Sequence, residues 1–362
     1  MKKRFIAGGV VLGLVAYFAF WPTPVEPVAW DAPENKGFTG QFAVNDSLRP
    51  LRFVPIDGDF GPEDLAINSA GEVAISLHSG AIVKLDPSLS TLSLWVNTKG
   101  RPLGIEYDQD DNLLVADAYK GLLSVSPEGD IQLLADRSGD LPILYADDVD
   151  ISRRSGKVYF SDASTRFGAE ASGGTLEGSL LDLMEHSLSG RVIEYNLQTG
   201  ESRTLVDGLS FANGIAVTHD ENAILINETG EYRVLRYWIE GENRGKLEVL
   251  IDNLPGFPDN IAKAANGGYW LGLASPRSAA LDGLSNSPVL RKVLQKLPSF
   301  MRPKAQAYGH IVKIDDNGKV IESLQDSSGS YPLTTGALET SKGLIVSSLT
   351  ADSIAIKELK AK

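Results

Sequence analysis

Along most of the chain apolar residues come in short runs with the two-residue alternation of strands, separated by turns rich in Asp, Asn and Gly. Leu65-Ala66-Ile67-Asn68 leads through Gly71 to Val73-Ala74-Ile75 and then to Ala81-Ile82-Val83-Lys84-Leu85. The same order recurs in Pro102-Leu103-Gly104-Ile105, then Leu113-Leu114-Val115-Ala116-Asp117, then Gly121-Leu122-Leu123-Ser124-Val125. Further copies start near Tyr145, Phe211, Phe257 and Tyr331. Six units of roughly 40–70 residues have the spacing of propeller blades with insertions. The predicted fold is therefore all-β, a six-bladed β-propeller over residues 37–362. Residues 331–359 supply too few strands for a whole blade. A strand from the 38–54 region is expected to complete it, joining the ends of the ring and leaving few free sheet edges.

Three stretches break the pattern. Met1-Lys2-Lys3-Arg4 is basic, and Phe5 to Trp21 is an uncharged apolar run. Its end, Ala16-Tyr17-Phe18-Ala19-Phe20-Trp21, is bulky where a cleavage site needs small residues. Residues 1–21 thus read as an uncleaved signal anchor, a transmembrane helix with its N-terminus in the cytoplasm and the body outside it. Residues 22–36, with four prolines and no period, read as a linker. Within the repeats, 166–187 and 275–304 are partly helical insertions. The second contains Pro288-Val289-Leu290-Arg291-Lys292-Val293-Leu294-Gln295, with helical period and a basic face. Both are expected to cap one end of the disc, as plain cover, as a lid over an axial pocket or, for the second, as a helix touching membrane.

Composition narrows the chemistry. A net charge of −13 leaves no excess of Lys and Arg to neutralise phosphates, which argues against nucleic acid. The absence of cysteine removes disulfides, zinc thiolates and thiol nucleophiles. What remains are oxygens. Gly61-Pro62-Glu63-Asp64, Tyr145-Ala146-Asp147-Asp148, Phe211-Ala212-Asn213-Gly214 and Gly256-Phe257-Pro258-Asp259-Asn260 each place an oxygen-bearing side chain just before an apolar strand. If those strands start around one axis, Glu63, Asp147, Asn213 and Asp259 converge, and such a set suits a hard cation such as Ca2+. Any one acid alone would read as a turn cap; four at equivalent repeat positions read as a site.

These runs, with Gly100-Arg101-Pro102-Leu103-Gly104-Ile105, Ala116-Asp117-Ala118-Tyr119-Lys120-Gly121-Leu122 and Phe160-Ser161-Asp162-Ala163-Ser164, resemble the strictosidine synthase-like proteins, a family related to paraoxonases and gluconolactonases. The resemblance implies a propeller with an axial calcium held by Glu63, Asn213 and Asp259, with Asn260 adjacent and Asp147 as the fourth ligand. Relatives usually carry Asn then Asp where this chain has Asp147-Asp148. Asp259 is the first candidate for general base or nucleophile, with Asp147 or Glu63 second. The paraoxonase histidine pair is missing, Leu103 standing at the first position. A condensing enzyme would need a glutamate in the last blade, and Glu339 matches that region loosely. Asp117 and Asp162 read as hydrogen-bonding groups between blades.

The expected function is that of a membrane-anchored, extracytoplasmic, calcium-dependent hydrolase of small esters or lactones. A non-catalytic propeller that binds a ligand or protein around a structural calcium is the alternative, and a strictosidine synthase-type condensation a distant third.

Overall fold

The computed structural model describes residues 16–18 and 20–358. Its first strand, β1 (Arg52–Pro55), pairs antiparallel with the last, Ser353–Lys357, in the register Arg52↔Ile356 to Pro55↔Ser353. This is the predicted closure, and it turns a row of sheets into a ring without an open seam.

Between these strands the chain lays down the blades in order, each a four-stranded antiparallel sheet. Blade 1 is β2 (Leu65–Ile67), β3 (Val73–Ser76), β4 (Ala81–Leu85) and β5 (Leu92–Asn97). Blade 2 is β6 (Pro102–Tyr107), β7 (Leu113–Asp117), β8 (Gly121–Val125) and β9 (Ile131–Ala135), followed by a small hairpin, β10 (Arg137–Ser138) and β11 (Leu141–Pro142). Blade 3 comprises β12 (Ala146–Ser152), β13 (Lys157–Asp162), β14 (Gly190–Asn196) and β15 (Ser202–Leu209). Blade 4 has β16 (Ala212–Val217), β17 (Ala223–Glu228), β18 (Arg233–Trp238) and β19 (Leu247–Ile251). Blade 5 has β20 (Gly256–Lys263), β21 (Tyr269–Pro276), β22 (Gly309–Ile314) and β23 (Val320–Asp326). Blade 6 holds β24 (Thr334–Thr340), β25 (Gly343–Ser348), β26 (Ser353–Lys357) and β1.

The burial of the strands explains their sequences. β16 and β17 are buried along their whole length, because inner strands lie between neighbouring sheets and need apolar residues on both faces. The outermost strands, such as β15 and β9, are mostly exposed. The core is accordingly a series of layers between blades. Ala66, Ala74 and Ile82 of blade 1 pack on Ile105, Tyr107 and Leu113 of blade 2, while Leu65, Val73 and Ile75 pack on Ile345, Ile354 and Ile356 of blade 6. Each of the buried Val, Ile and Leu side chains contributes about 1.5–3 kcal/mol. The turns the sequence marked are closed by their own side chains. Asn68 Oδ1 accepts from the backbone N–H groups of Ala70 and Glu72, and Asp108 Oδ1 from those of Asp110 and Asn112.

The insertions leave from the predicted places. One joins β13 to β14 and carries helix α1 (Thr175–Glu185); the other joins β21 to β22 and carries α2 (Ala279–Gly283) and α3 (Pro288–Gln295). The end of β13 pairs with the start of β12 (Ala146↔Asp162), and the end of β21 with the start of β20 (Gly256↔Pro276). Both insertions therefore rise from the end of the disc at which the inner strands begin.

Most of the expected anchor, residues 1–15 and 19, lies outside the described residues, and no described helix is long and apolar enough to cross a membrane. The segment read as a linker, 22–36, is a strap packed on the insertions. Val28 N donates to Glu185 O at 2.9 Å and Trp30 N to Ser285 O at 3.3 Å. Arg277 Nη2 donates to Pro33 O, and Asn253 Nδ2 to Glu34 O. The fully buried Arg291 gathers the cap by donating to Val28 O of the strap, Met184 O of α1 and Ser285 O. Proline-rich chain has few donors of its own, so surrounding arginine and asparagine side chains fix it.

Candidate metal site on the propeller axis

Five of the six inner strands enter their sheets through the same irregularity. Pairing jumps from Pro102 to Ile105, Ala146 to Val149, Ala212 to Ile215, Pro258 to Ile261 and Thr334 to Ala337. Two residues inside each jump fall outside the register, and a bulge of this kind re-aims side chains. The pairs are Leu103-Gly104, Asp147-Asp148, Asn213-Gly214, Asp259-Asn260 and Thr335-Gly336. In blade 1, Glu63-Asp64 holds the equivalent place just ahead of β2, with Glu63 N donating to Ser76 O at 3.0 Å.

The two members of a pair do different work. The first members meet across the axis: the carboxylates of Glu63 and Asp259 repel, Asp147 feels both, and the Asn213 carboxamide lies close enough to Asp259 to favour its charged form. The second members tie neighbouring inner strands together. Asp64 Oδ2 accepts from Ile105 N at 2.8 Å, and Asp148 Oδ2 from Ile215 N at 2.7 Å. Asn260 Nδ2 reaches over blade 6 to donate to Glu63 O at 3.1 Å and Glu63 Oε1 at 3.0 Å. This crowding requires glycine between the polar pairs. A Cβ at Gly104 would lie 2.2 Å from Asp148 Oδ1, and one at Gly214 2.4 Å from Asp259 O.

All five predicted residues, Glu63, Asp147, Asn213, Asp259 and Asn260, are thus brought together and buried. Burial pushes Glu63 up to about 8 and Asp259 up to about 7, and holds Asp147 well above the usual carboxylate range. Four acceptor oxygens, Glu63 Oε2, Asp147 Oδ2, Asn213 Oδ1 and Asn260 Oδ1, are buried without a hydrogen-bond partner. Native proteins rarely leave such atoms unsatisfied, and oxygens of mixed carboxylate and amide type are the donor set of a hard cation. Among the described residues no three His, Asp or Glu side chains are arranged to hold a metal by themselves; the carboxamides are needed to complete the set.

The sequence reading passed over Arg101. Its guanidinium is buried beside Glu63 and Asp147 and favours their charged forms. The signal was positional: two residues ahead of the first member stand Tyr145, Phe211, Phe257 and Leu333 in other blades, and only blade 2 has a cation there. Walls around the axis come from Leu103, Tyr145 and Phe211, which pack with Ala169 and Leu183 of the first insertion. Asp117 and Asp162 act within their own blades and not between blades. Asp117 Oδ1 accepts from Arg101 N at 2.9 Å and Asp162 Oδ1 from Tyr145 N at 2.8 Å, so each shapes the entrance of its own inner strand.

Other candidates lie apart from the axis. Glu339 is near the far end of β24, accepting from Trp270 Nε1 and Lys313 Nζ. His219 is exposed on a turn, and His310 is buried in blade 5. His186 lies between Ser210 Oγ (3.3 Å) and Glu231 Oε1 (2.9 Å), an order of groups known from hydrolase triads. Ser210 has no exposed surface, and Trp30 of the strap stacks on the imidazole at 4.1 Å. The trio secures the strap.

The fold defines a class, the six-bladed propellers shaped like gluconolactonase and regucalcin. A gluconolactonase from Xanthomonas campestris superposes with a TM-score of 0.60 at 13% identity, over 86% of this chain and 99% of that one. Regucalcin from Agrobacterium tumefaciens, described as a calcium-binding protein, gives 0.57 at 16%, over 86% and 96%. Within that class the chain belongs to the strictosidine synthase-like family. Residues 147–242 match the strictosidine synthase family model and 40–85 the N-terminal model of the strictosidine synthase-like proteins. The adipocyte plasma membrane-associated protein of Salmo salar is 31% identical over 346 residues, 90% of this chain and 81% of its own length. Strictosidine synthase-like protein 13 of Arabidopsis thaliana is 36% identical over 249 residues, 66% of this chain and 60% of its own.

Proposed function

We propose that this chain is a calcium-dependent hydrolase of small esters or lactones, tethered to a membrane by its N-terminal apolar run and working outside the cytoplasm. One observation carries the reading: four buried, partnerless acceptor oxygens converge with Asp259 where the inner strands begin. The lactonase and calcium-binding activities named for proteins of the same shape support it, as does the membrane association of the animal relatives.

Glu63, Asp147, Asn213, Asp259 and Asn260 would hold the cation. When bound, calcium supplies Lewis-acid polarisation of a carbonyl oxygen and stabilises the oxyanion formed from it. The remaining chemistry belongs to the protein. Asp259 is the first candidate to take a proton from water or to attack as a carboxylate, with the Asn213 carboxamide beside it. Asp147 is the second candidate base. Arg101 offsets part of the negative charge, and Leu103, Tyr145 and Phe211 favour an apolar acyl or ring portion.

A second reading, a binding propeller with a structural calcium, is favoured by the burial of all five side chains and by Leu103 at the position where paraoxonases carry histidine. Assays of the full chain with phenyl acetate and simple lactones separate the two. The hydrolase reading expects turnover that disappears on chelation and in Asp259→Ala while the fold survives. A folded, calcium-loaded protein without turnover establishes the binding module and sinks the hydrolase.

A further inference from the structure

Helix α3 is built inside out. Its buried residues include Arg291 and Gln295, while Val289 is 74% exposed and Leu290 51%. The turn after it continues the pattern, with Phe300 at 75% and Met301 at 54%. A helix facing water presents its polar side outward, and large apolar groups gathered on one surface mark an interface.

The N-terminal segment ends against this face. Tyr17 Oη donates to Lys296 O at 2.9 Å, and Lys296 Nζ donates to Phe18 O at 2.8 Å. A cleft of about 370 Å³ separates Phe20 and Trp21 from Val289 and Val293. Phe20 and Trp21 are themselves largely exposed. The described end of the uncharged run, Tyr17 to Trp21 without residue 19, therefore lies at the same surface. Charge points the same way. Of the six Lys and Arg in residues 275–304, Arg277, Arg291 and Lys296 are buried and Lys292 pairs with Glu26, which leaves Arg302 and Lys304 as the cations offered at this surface, in a chain whose net charge is −13. Arg302 and Lys304 directly follow Phe300-Met301.

We propose that the outer face of α3 and the turn 299–304, together with Phe20 and Trp21, lies in the interfacial layer of a bilayer containing anionic lipid. Apolar side chains enter the acyl boundary, the aromatic residues sit at headgroup level, and the basic residues meet lipid phosphate. The insertions rise from the end at which the inner strands begin, so this contact turns the axial site toward the membrane. The strap is tied to the insertions by Arg291 and Arg277, so the N-terminal segment and α3 meet the bilayer as one face. The contact does not depend on the axial site being catalytic.

The absence of cysteine makes the test direct. Val289→Cys, Phe300→Cys and Asn243→Cys are made in the full chain, the last in the exposed turn between β18 and β19 at the opposite end of the disc. Each is labelled with a fluorophore and reconstituted into vesicles of phosphatidylcholine and phosphatidylglycerol. The labels at 289 and 300 should be quenched by doxyl lipid and shielded from iodide, and the label at 243 the reverse. Changing Arg302 and Lys304 to Glu should reduce lipid quenching at 300 several-fold. Labels at 289 and 300 as open to iodide as the one at 243 overturn the proposal. So does shielding from both quenchers, which would indicate a second copy of the chain on this face.

Discussion

Asn260 Nδ2 donates to Glu63 Oε1 at 3.0 Å across 197 positions of sequence, tying blade 5 to blade 1. The bond leaves Glu63 Oε2 and Asn260 Oδ1 as the unpartnered atoms of the two side chains. One contact thus links two blades across the axis and aims two oxygens at it. Asn260→Ala removes both effects. Stability should fall by about 1–3 kcal/mol, the cost of leaving buried acceptors without their donor, and calcium affinity by about tenfold or more, an order set by the loss of about 1.4 kcal/mol or more. Chemical denaturation and calorimetric titration measure the two separately, and an unchanged calcium affinity would remove Asn260 from the site.

Burial raises the folded-state pKa of Glu63 to about 8 and of Asp259 to about 7, so the folded cation-free chain holds protons that the unfolded chain has released. The stability contributed by these protonated groups is complete below the unfolded carboxylate range and is lost as pH rises through about 7 to 8. In the presence of a chelator, Tm should therefore decline from about pH 4.5, the ordinary value of Glu63, to about pH 8, its raised value. Calcium should raise Tm most at the alkaline end and release protons on binding. Scanning fluorimetry across that range checks it, and a chelated protein that grows more stable toward pH 8 contradicts the assignment.

Trp30 is buried, stacks on His186 at 4.1 Å and joins a core cluster with Tyr232, Leu254 and Leu273. Trp30→Ala should cost about 3–5 kcal/mol, as for other large aromatic deletions. A chain beginning at Gly37 should melt well below one beginning at Pro22, because it loses the acceptors of Arg291 and Arg277. Equal melting of the two would mean that the strap adds nothing to the cap.

Gly104 and Gly214 stand where neighbouring inner strands touch. Gly104→Ala sets a methyl against the Asp148 side chain and backbone, and Gly214→Ala sets one against the Asp259 carbonyl. Each should destabilise by about 1–3 kcal/mol or more through forced backbone movement. Both should also weaken calcium binding, by displacing Asp147 or Asp259. Gly241→Ala, with open space around its Cβ position but φ of +74°, should carry only a strain cost and leave calcium binding intact.

Much of this was legible in the chain because a propeller repeats. The spacing of turns and strands placed the blades, and equivalence between Glu63, Asp147, Asn213 and Asp259 placed the site. Where a residue's role depends on something outside its own repeat, the sequence was silent or misleading. Asp117 and Asp162 recur at strand ends, but only coordinates reveal that they bond the entrance of their own blade. Arg101 reads as one residue of a strand entrance until its burial within the electrostatic reach of Glu63 and Asp147 is seen. The strap reads as linker because proline-rich chain is locally featureless, and its order comes from side chains more than two hundred residues away.

Alternation of polar and apolar positions determined the class of fold, the ring closure and the identity of the oxygens, since strand period and turn chemistry are local properties that every blade repeats. Tertiary structure decided which oxygens remain unpartnered, which glycines are obligatory and which way the inserted helix faces. Those follow from how closely six separate sheets approach one axis and from what packs above them, and no segment encodes either alone.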